Sequence, residues 1–316
     1  MHYSPSLMHI PDGFLSIYVS VMLWIISAGI VGYALRKVGR ELGERQLPLM
    51  GVLAATIFAG QMLNFTVAGG TSGHLLGAAI ATIVLGPWPA IVIMTSVVSI
   101  QALIFQDGGL LALGANIFNM AVVGVAVSYF VYSSLRRLLG SQSWAIFASG
   151  AAAAWCSIVA SALACALQLA LSGTSPANIT IPAMGGIHVL IGIGEALITL
   201  GALAFLYAAR RDLVVGGGQA PQGGAVVWGV GLALALFLVV LSPLASTHPD
   251  GLEWVAGQKG FLDAAQTPLY NLVPDYLFPG ISNQSLATLM AGIVGVLLAF
   301  GVFVGVGFLR KKHKSG

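Results

Sequence analysis

The sequence predicts an all-α polytopic membrane protein, a bundle of about seven helices followed by a C-terminal two-helix hairpin. Three observations predict it. The 316 residues are 58% hydrophobic and only 7% charged, with a mean hydropathy of +0.94. A soluble domain carries about 25% charged residues, so most of a surface this poor in charge must face lipid. Apolar runs near the length of about 20 residues needed to span a bilayer recur along the chain, and short basic clusters with Gly- or Pro-rich breaks punctuate them. The formal net charge of +3 is spread over those clusters rather than along a stripe, which argues against nucleic acid as a partner.

The first span is predicted over 13–35, closed by Arg36, Lys37, Arg40 and Arg45. It lacks a basic leading region and a nearby small-residue cleavage site, so it reads as a span rather than a signal peptide. The second, 48–68, opens with Pro48 at a helix start. A Gly-rich turn, Val67 to Gly73, follows. The run 75–105 is too long for one helix and holds Gly86-Pro87-Trp88-Pro89, which cannot continue a helical ladder. It is divided into a third span, 74–86, and a fourth, 89–105. A fifth covers 111–132, before Arg136-Arg137, and an Ala- and Ser-rich sixth covers 144–172. The seventh, 187–208, ends at Arg210-Arg211, and two more spans cover 225–243 and 285–308.

The domain plan is an extension 1–7, a body 8–212, a linker 213–224 that includes Gly216 to Gly224, and a second module 225–316 with a polar segment 244–283. Under this nine-span count every basic cluster falls on one side, together with the tail Arg310 to Lys314. Lys and Arg mark the cytoplasmic side, so the N-terminus is expected outside and the C-terminus inside. Cys156 and Cys165 lie in an apolar run and read as packing thiols.

Ionisable and amide side chains are rare here, so each needs a reason. Of the six histidines, His9, His74, His188 and His248 fall on the outer side of this topology, His2 lies in the extension and His313 in the basic tail. Single histidines at a membrane interface are usually structural, but several at the starts of spans on one side point to a metal. Neutral imidazole suits nickel, cobalt, copper and zinc. A Met-His start adds a chelate: a free amine, the next amide nitrogen and that imidazole, with His74 as a fourth nitrogen. Met8 supplies the amine only if translation starts there; the alternative pair is Met1-His2. Asp12, Asn64, Gln101, Asn116, His188 and Glu195 are candidate pocket or supporting residues, and Gln61 and Asn119 are buried amides that glue helices. Glu195 lies seven residues after His188, on the same helix face.

Three stretches, Met8-His9-Ile10-Pro11-Asp12-Gly13-Phe14, Gly70-Thr71-Ser72-Gly73-His74-Leu75-Leu76-Gly77 and Gln101 through Gln106-Asp107-Gly108-Gly109 to Asn116-Ile117-Phe118-Asn119-Met120, resemble the CbiM/NikM family. These are substrate-binding membrane components of cobalt and nickel energy-coupling-factor transporters. His248-Pro249-Asp250-Gly251-Leu252-Glu253-Trp254 resembles the accessory CbiN/NikN component, so the chain looks like a fusion of the two. The resemblance implies ligands at Met8, His9 and His74, with Ni2+ or Co2+ bound as substrate and no resident cofactor. It also implies a CbiQ/NikQ-like transmembrane coupling protein and CbiO/NikO-like ATPase subunits as partners, in a bacterial or archaeal cell membrane. The chain itself has no phosphate-binding Gly-x-x-x-x-Gly-Lys-Ser/Thr loop. A zinc protease would carry a His-Glu-x-x-His helix motif, which is absent. A proton-coupled secondary transporter would show internal repeats and paired midplane acids, and only Glu195 looks deeply placed. Nitrogen-only square-planar geometry leans towards nickel over cobalt.

Overall fold

The computed structural model describes residues 9–41, 46–215 and 225–315. The extension 1–7, Met8, Arg45 and the Gly stretch 216–224 lie outside the described residues. The apolar runs fold as helices, the conformation that satisfies every backbone group without water. In chain order these are α1 (Ile17–Glu41), α2 (Leu47–Gln61), α3 (Ala78–Leu85), α4 (Pro87–Ile104), α5 (Leu113–Leu139), α6 (Ser143–Leu171) and α7 (Ala177–Ala209). The short α8 (Arg211–Val215), α9 (Ala225–Val240), α10 (Gly251–Lys259) and α11 (Gln284–Ser315) complete the described helices. Six of them, α1, α4, α5, α6, α7 and α11, contain stretches long and apolar enough to cross a membrane. Their outward side chains are apolar, as at Ile25, Phe130 and Leu197, which suits lipid rather than water.

Helix α2 forms the centre. It is apolar all round and buried along nearly its whole length, from Leu49 and Met50 to Phe58 and Ala59. Helices α9 and α11, the expected C-terminal hairpin, both pack on it. Glycines permit the close approach: a Cβ at Gly295 would overlap the Phe58 ring, and one at Gly231 would overlap Val52. The second module is therefore built against the body, its two long helices packing on α2 and on each other.

Several expected boundaries are corrected. The first span starts at Ile17, not 13, because Pro11, Asp12 and Gly13 (φ +92°) hold residues 9–16 in an irregular segment. The second ends at Gln61, and Phe65–Val67 pairs with Thr71–Gly73 as a two-stranded antiparallel hairpin, β1 and β2. The third is only eight residues, Ala78–Leu85. At 1.5 Å per residue that is about 12 Å, too short for a hydrocarbon core of about 30 Å, so 71–77 enters the bundle as extended chain. The break before α4 falls at Gly86 (φ +84°), with Pro87 opening the next helix. The seventh span begins at Ala177 and runs through Pro182, which places His188 inside the helix rather than at its mouth. Within α5, Phe118–Val123 forms a π-helical turn that carries Asn119, and such turns concentrate at functional sites.

Candidate metal site

Residues 9–14 are held by the loop after α4. The Asp12 carboxylate accepts the backbone N–H groups of Leu110 and Ala112, both at 3.0 Å. Gly109 N–H donates to the Ile10 carbonyl at 2.9 Å. The Asn116 side chain clamps Ile10 from both sides, accepting its N–H at 3.0 Å and donating to its carbonyl at 3.1 Å. A side chain at Gly109 would overlap Asp12, and a Cβ at Gly108 would lie 2.9 Å from that of His9. The glycines are therefore required by close approach, and together these contacts seat His9 with 4% of its surface exposed.

His74 is placed by a second set. The Glu195 carboxylate accepts Leu76 N–H at 2.6 Å and Gly77 N–H at 3.0 Å, capping the start of α3. Gln61 donates to the Leu76 carbonyl at 2.9 Å. These anchors lie two and three residues beyond His74 and hold the extended entry of its strand into the bundle. Its Nδ1 lies 3.0 Å from the Leu75 carbonyl, which can only accept, so Nδ1 carries the proton and the lone pair falls on Nε2. His188 is arranged alike, with Nδ1 donating to the Met184 carbonyl at 2.8 Å.

His9, His74 and His188 line one cavity of about 80 Å³, with Asn116, Asn119 and Asp250. The His9 and His74 ring centroids are 5.7 Å apart. Two imidazoles bound to one metal through bonds of about 2.0–2.1 Å put their centroids roughly 4.5–6.3 Å apart, so the pair is spaced to share an ion. Among the described residues, no three His, Cys, Asp or Glu side chains converge closely enough to hold a metal. Asn119 exchanges two hydrogen bonds with Gln168, at 2.9 and 2.6 Å, and forms part of the cavity wall.

The second module closes this region. Ser72 N–H donates to the Pro249 carbonyl at 2.8 Å, Ser72 Oγ donates to the His248 carbonyl at 2.8 Å, and Trp254 Nε1 donates to the Gly69 carbonyl at 3.1 Å. Asp250 caps α10 by accepting Glu253 N–H at 2.7 Å. A Cβ at Gly251 would lie 2.8 Å from both His188 and Ile191, so the Pro-Asp-Gly-Leu-Glu glycine lets the start of α10 approach α7 closely. Burial pushes the Asp250 carboxyl up to about 7.

Electrostatically the centre is the His9–Asp107 pair. Asp107 Oδ1 lies 2.9 Å from His9 Nδ1 without the alignment of a hydrogen bond, and among the described residues neither His9 ring nitrogen has a hydrogen-bond partner. Burial works against the His9 cation, but the Asp107 carboxylate outweighs it and leaves the ring's pKa raised. Burial likewise opposes ionisation of Asp107, and His9 holds it below the usual carboxylate range. Tyr276 donates to Asp107 Oδ2 at 2.7 Å. Burial and the same carboxylate keep its phenol protonated, well above the ordinary range.

Of the residues singled out from sequence, the fold brings together His9, His74, His188 and Asn116. Met8 lies outside the described residues. Asp12 and Glu195 sit away from the cavity as clamps on backbone. Asn64 lines a separate polar cavity of about 240 Å³ with Asp275 and Ser242, and its carbonyl accepts Ser246 N–H at 2.8 Å. Gln101 is fully buried beside the Tyr276 hydroxyl. Asp107 and Asp250 stood inside recognised motifs, and a carboxylate in so uncharged a chain was their available signal. Tyr276 had none: it is one tyrosine in a polar segment, joined to the site by 169 residues of sequence separation.

The class is a multi-pass helical membrane protein, with three imidazoles at one cavity among its helices. The comparisons give the family. Residues 9–213 match the cobalt uptake substrate-specific transmembrane region, CbiM, and residues 225–312 match the PDGLE domain. The chain belongs to the CbiM family, in a form fused to a PDGLE domain. It is 36% identical over 305 residues to a putative fused nickel transport protein NikMN of Archaeoglobus fulgidus, covering 93% of this chain and 97% of that one. It is 30% identical over 354 residues to the fused nickel transport protein NikMN of Rhodobacter capsulatus, covering 98% and 100%. A crystal structure of a truncated transition metal transporter superposes with a TM-score of 0.57 at 34% identity, covering 64% of this chain and 99% of that one.

Proposed function

We propose that this chain is the substrate-specific membrane subunit that captures and translocates Ni2+ or Co2+ in an ATP-driven transporter of the energy-coupling-factor type. The observation that carries this reading is the approach of His9 and His74, 65 residues apart in sequence, to a ring separation of 5.7 Å at one buried cavity. The His74 ring donates its Nδ1 proton to the Leu75 carbonyl, the arrangement in which a histidine offers Nε2 to a metal. The metal is the cargo, and no resident cofactor is assigned. The chain holds the ion, while a coupling protein and ATPase subunits supply the energy. Its N-terminal segment and the 244–283 segment face the outside, and its basic helix ends face the cytoplasm. Nickel is favoured among the two metals by a site of nitrogen donors.

The test is bound metal per chain, measured by elemental mass spectrometry on the purified protein beside His9→Ala and His74→Ala, with an intact mass for each. The reading expects nickel or cobalt near one per chain, lost in both variants. Full occupancy in both variants overturns the site, and uptake that persists without the partner ATPases overturns the coupling. The intact mass also decides whether Met8 carries a free amine.

A further inference from the structure

A second cavity lies where the two modules meet. It encloses about 240 Å³ between the end of α2, the chain that follows α9 and the start of α11. Its wall is rich in oxygen: Asn64, Ser242, Thr247 and Thr288 line it. Asp275 is the single charged residue in that wall, and no cationic side chain lines it, among the described residues. Ser242 is 4% exposed, and its Oγ and Asn64 Oδ1 are buried without a hydrogen-bond partner among the described residues. Gln284 and Ser285 also line the cavity and are exposed, which leaves it open on that side. Asp275 is set there by its backbone. Its N–H donates to the Phe105 carbonyl at 3.2 Å, and its φ of +56° lies in a region that Asp and Asn enter more readily than most side chains. Burial and the Asp107 carboxylate push Asp275 up to about 6, so it is ionised at neutral pH and a neighbouring cation is favoured. The ends of α2 and α9 bring two negative helix termini to this region, against one positive terminus from α11.

Hydroxyls, an amide and one carboxylate are hard donors, whereas nickel suits imidazole. Such groups are matched instead to the water shell of a hydrated ion, whose O–H groups they accept. Six waters at about 30 Å³ each occupy roughly 180 Å³. This cavity has room for that shell, and the histidine cavity of about 80 Å³ does not. We infer that the cavity holds a hydrated divalent cation through its water shell, by Asp275, Ser242 and Asn64, and stages it for the histidine site. This rests on the proposed capture of Ni2+ or Co2+ by the chain. Tyr276 is the wall between the two places: it lines the staging cavity, and its hydroxyl donates to Asp107 beside His9. Waters leave the ion for the solution as histidine nitrogens replace them at the second site.

The test uses hexaamminecobalt(III), an inert octahedral cation. It presents N–H groups where a hydrated ion presents O–H groups, and it does not exchange them for histidine. The full chain in a non-ionic detergent is dialysed against it, and bound cobalt is measured beside Asp275→Asn and Ser242→Ala. Asparagine suits the positive φ and removes the charge. Wild-type protein is expected to bind the hexaammine stoichiometrically. Asp275→Asn should weaken that binding about tenfold or more, and Ser242→Ala by a smaller factor. Stopped-flow mixing with Ni2+ should show slower loading in both variants, and in wild-type protein preloaded with the hexaammine. No binding by wild-type protein, binding that Asp275→Asn leaves unchanged, or Ni2+ loading indifferent to the hexaammine overturns the inference. Ni2+ retained by His9→Ala overturns the capture site beneath it instead, so the two failures are distinguishable.

Discussion

Replacing Glu195 tests whether a carboxylate deep in α7 positions His74. Its two oxygens accept Leu76 N–H and Gly77 N–H at 2.6 and 3.0 Å, and the side chain is fully buried. A hydrogen bond to a charged group contributes about 1.5–3 kcal/mol net, so two give roughly 3–6 kcal/mol. Against this stands the cost of keeping a carboxylate out of water, while the positive end of α3 favours a negative charge there. The balance predicts a loss of about 2–4 kcal/mol for Glu195→Ala, mostly from two backbone donors left without acceptors. Glu195→Gln retains one acceptor but turns an amide N–H towards the second donor, so its loss should be about half as large. The assay is the apparent melting temperature in detergent, followed by metal titration of the same samples. Both variants should melt lower, Ala more than Gln, and bind metal more weakly because the chain beyond His74 is no longer anchored. An Ala variant with wild-type melting temperature and affinity would refute the reasoning.

Further expectations follow from the same contacts. Gly109→Ala should expel residues 9–12 from their seat, since its Cβ overlaps Asp12, and limited proteolysis should then cut the N-terminal segment while metal binding is lost. Asn116→Ala removes both bonds to the Ile10 backbone and should cost about 1–3 kcal/mol, read as a lower melting temperature together with weaker metal binding. Docking of the second module should strengthen as pH falls from 8 to 5. Burial raises Asp250 and Glu253 to about 7 and Asp275 to about 6, so the docked state takes up protons in that window and is favoured at the acidic end. The raised His9 works in the same direction, and hydrogen exchange of residues 250–276 measures the sum. Metal binding should move the opposite way over that range, because protons compete for the His9 ring; binding that grew stronger at pH 5 would contradict the imidazole site.

The composition and the spacing of basic clusters and breakers were enough to determine a helical membrane protein and where most of its helices lie, because a lipid environment leaves the backbone few alternatives. They also marked out His9 and His74, whose type and rarity signal metal chemistry in a chain with so few ionisable groups. Local patterning failed where apolar chain is not helical. Residues 65–68 and 74–77 read as the ends of helical spans on either side of a Gly-rich turn, whereas pairing between β1 and β2, the docked Pro249, Gln61 and the Glu195 clamp hold this stretch extended. The type of a polar side chain likewise said nothing of its use: Asp12 and Glu195 serve backbone, whereas His188 faces the cavity. The neighbours of His9 were beyond reach for the same reason. Asp107 and Tyr276 meet it across 98 and 169 residues of separation in two steps, and a contact of that kind exists only once α2 has drawn both modules together.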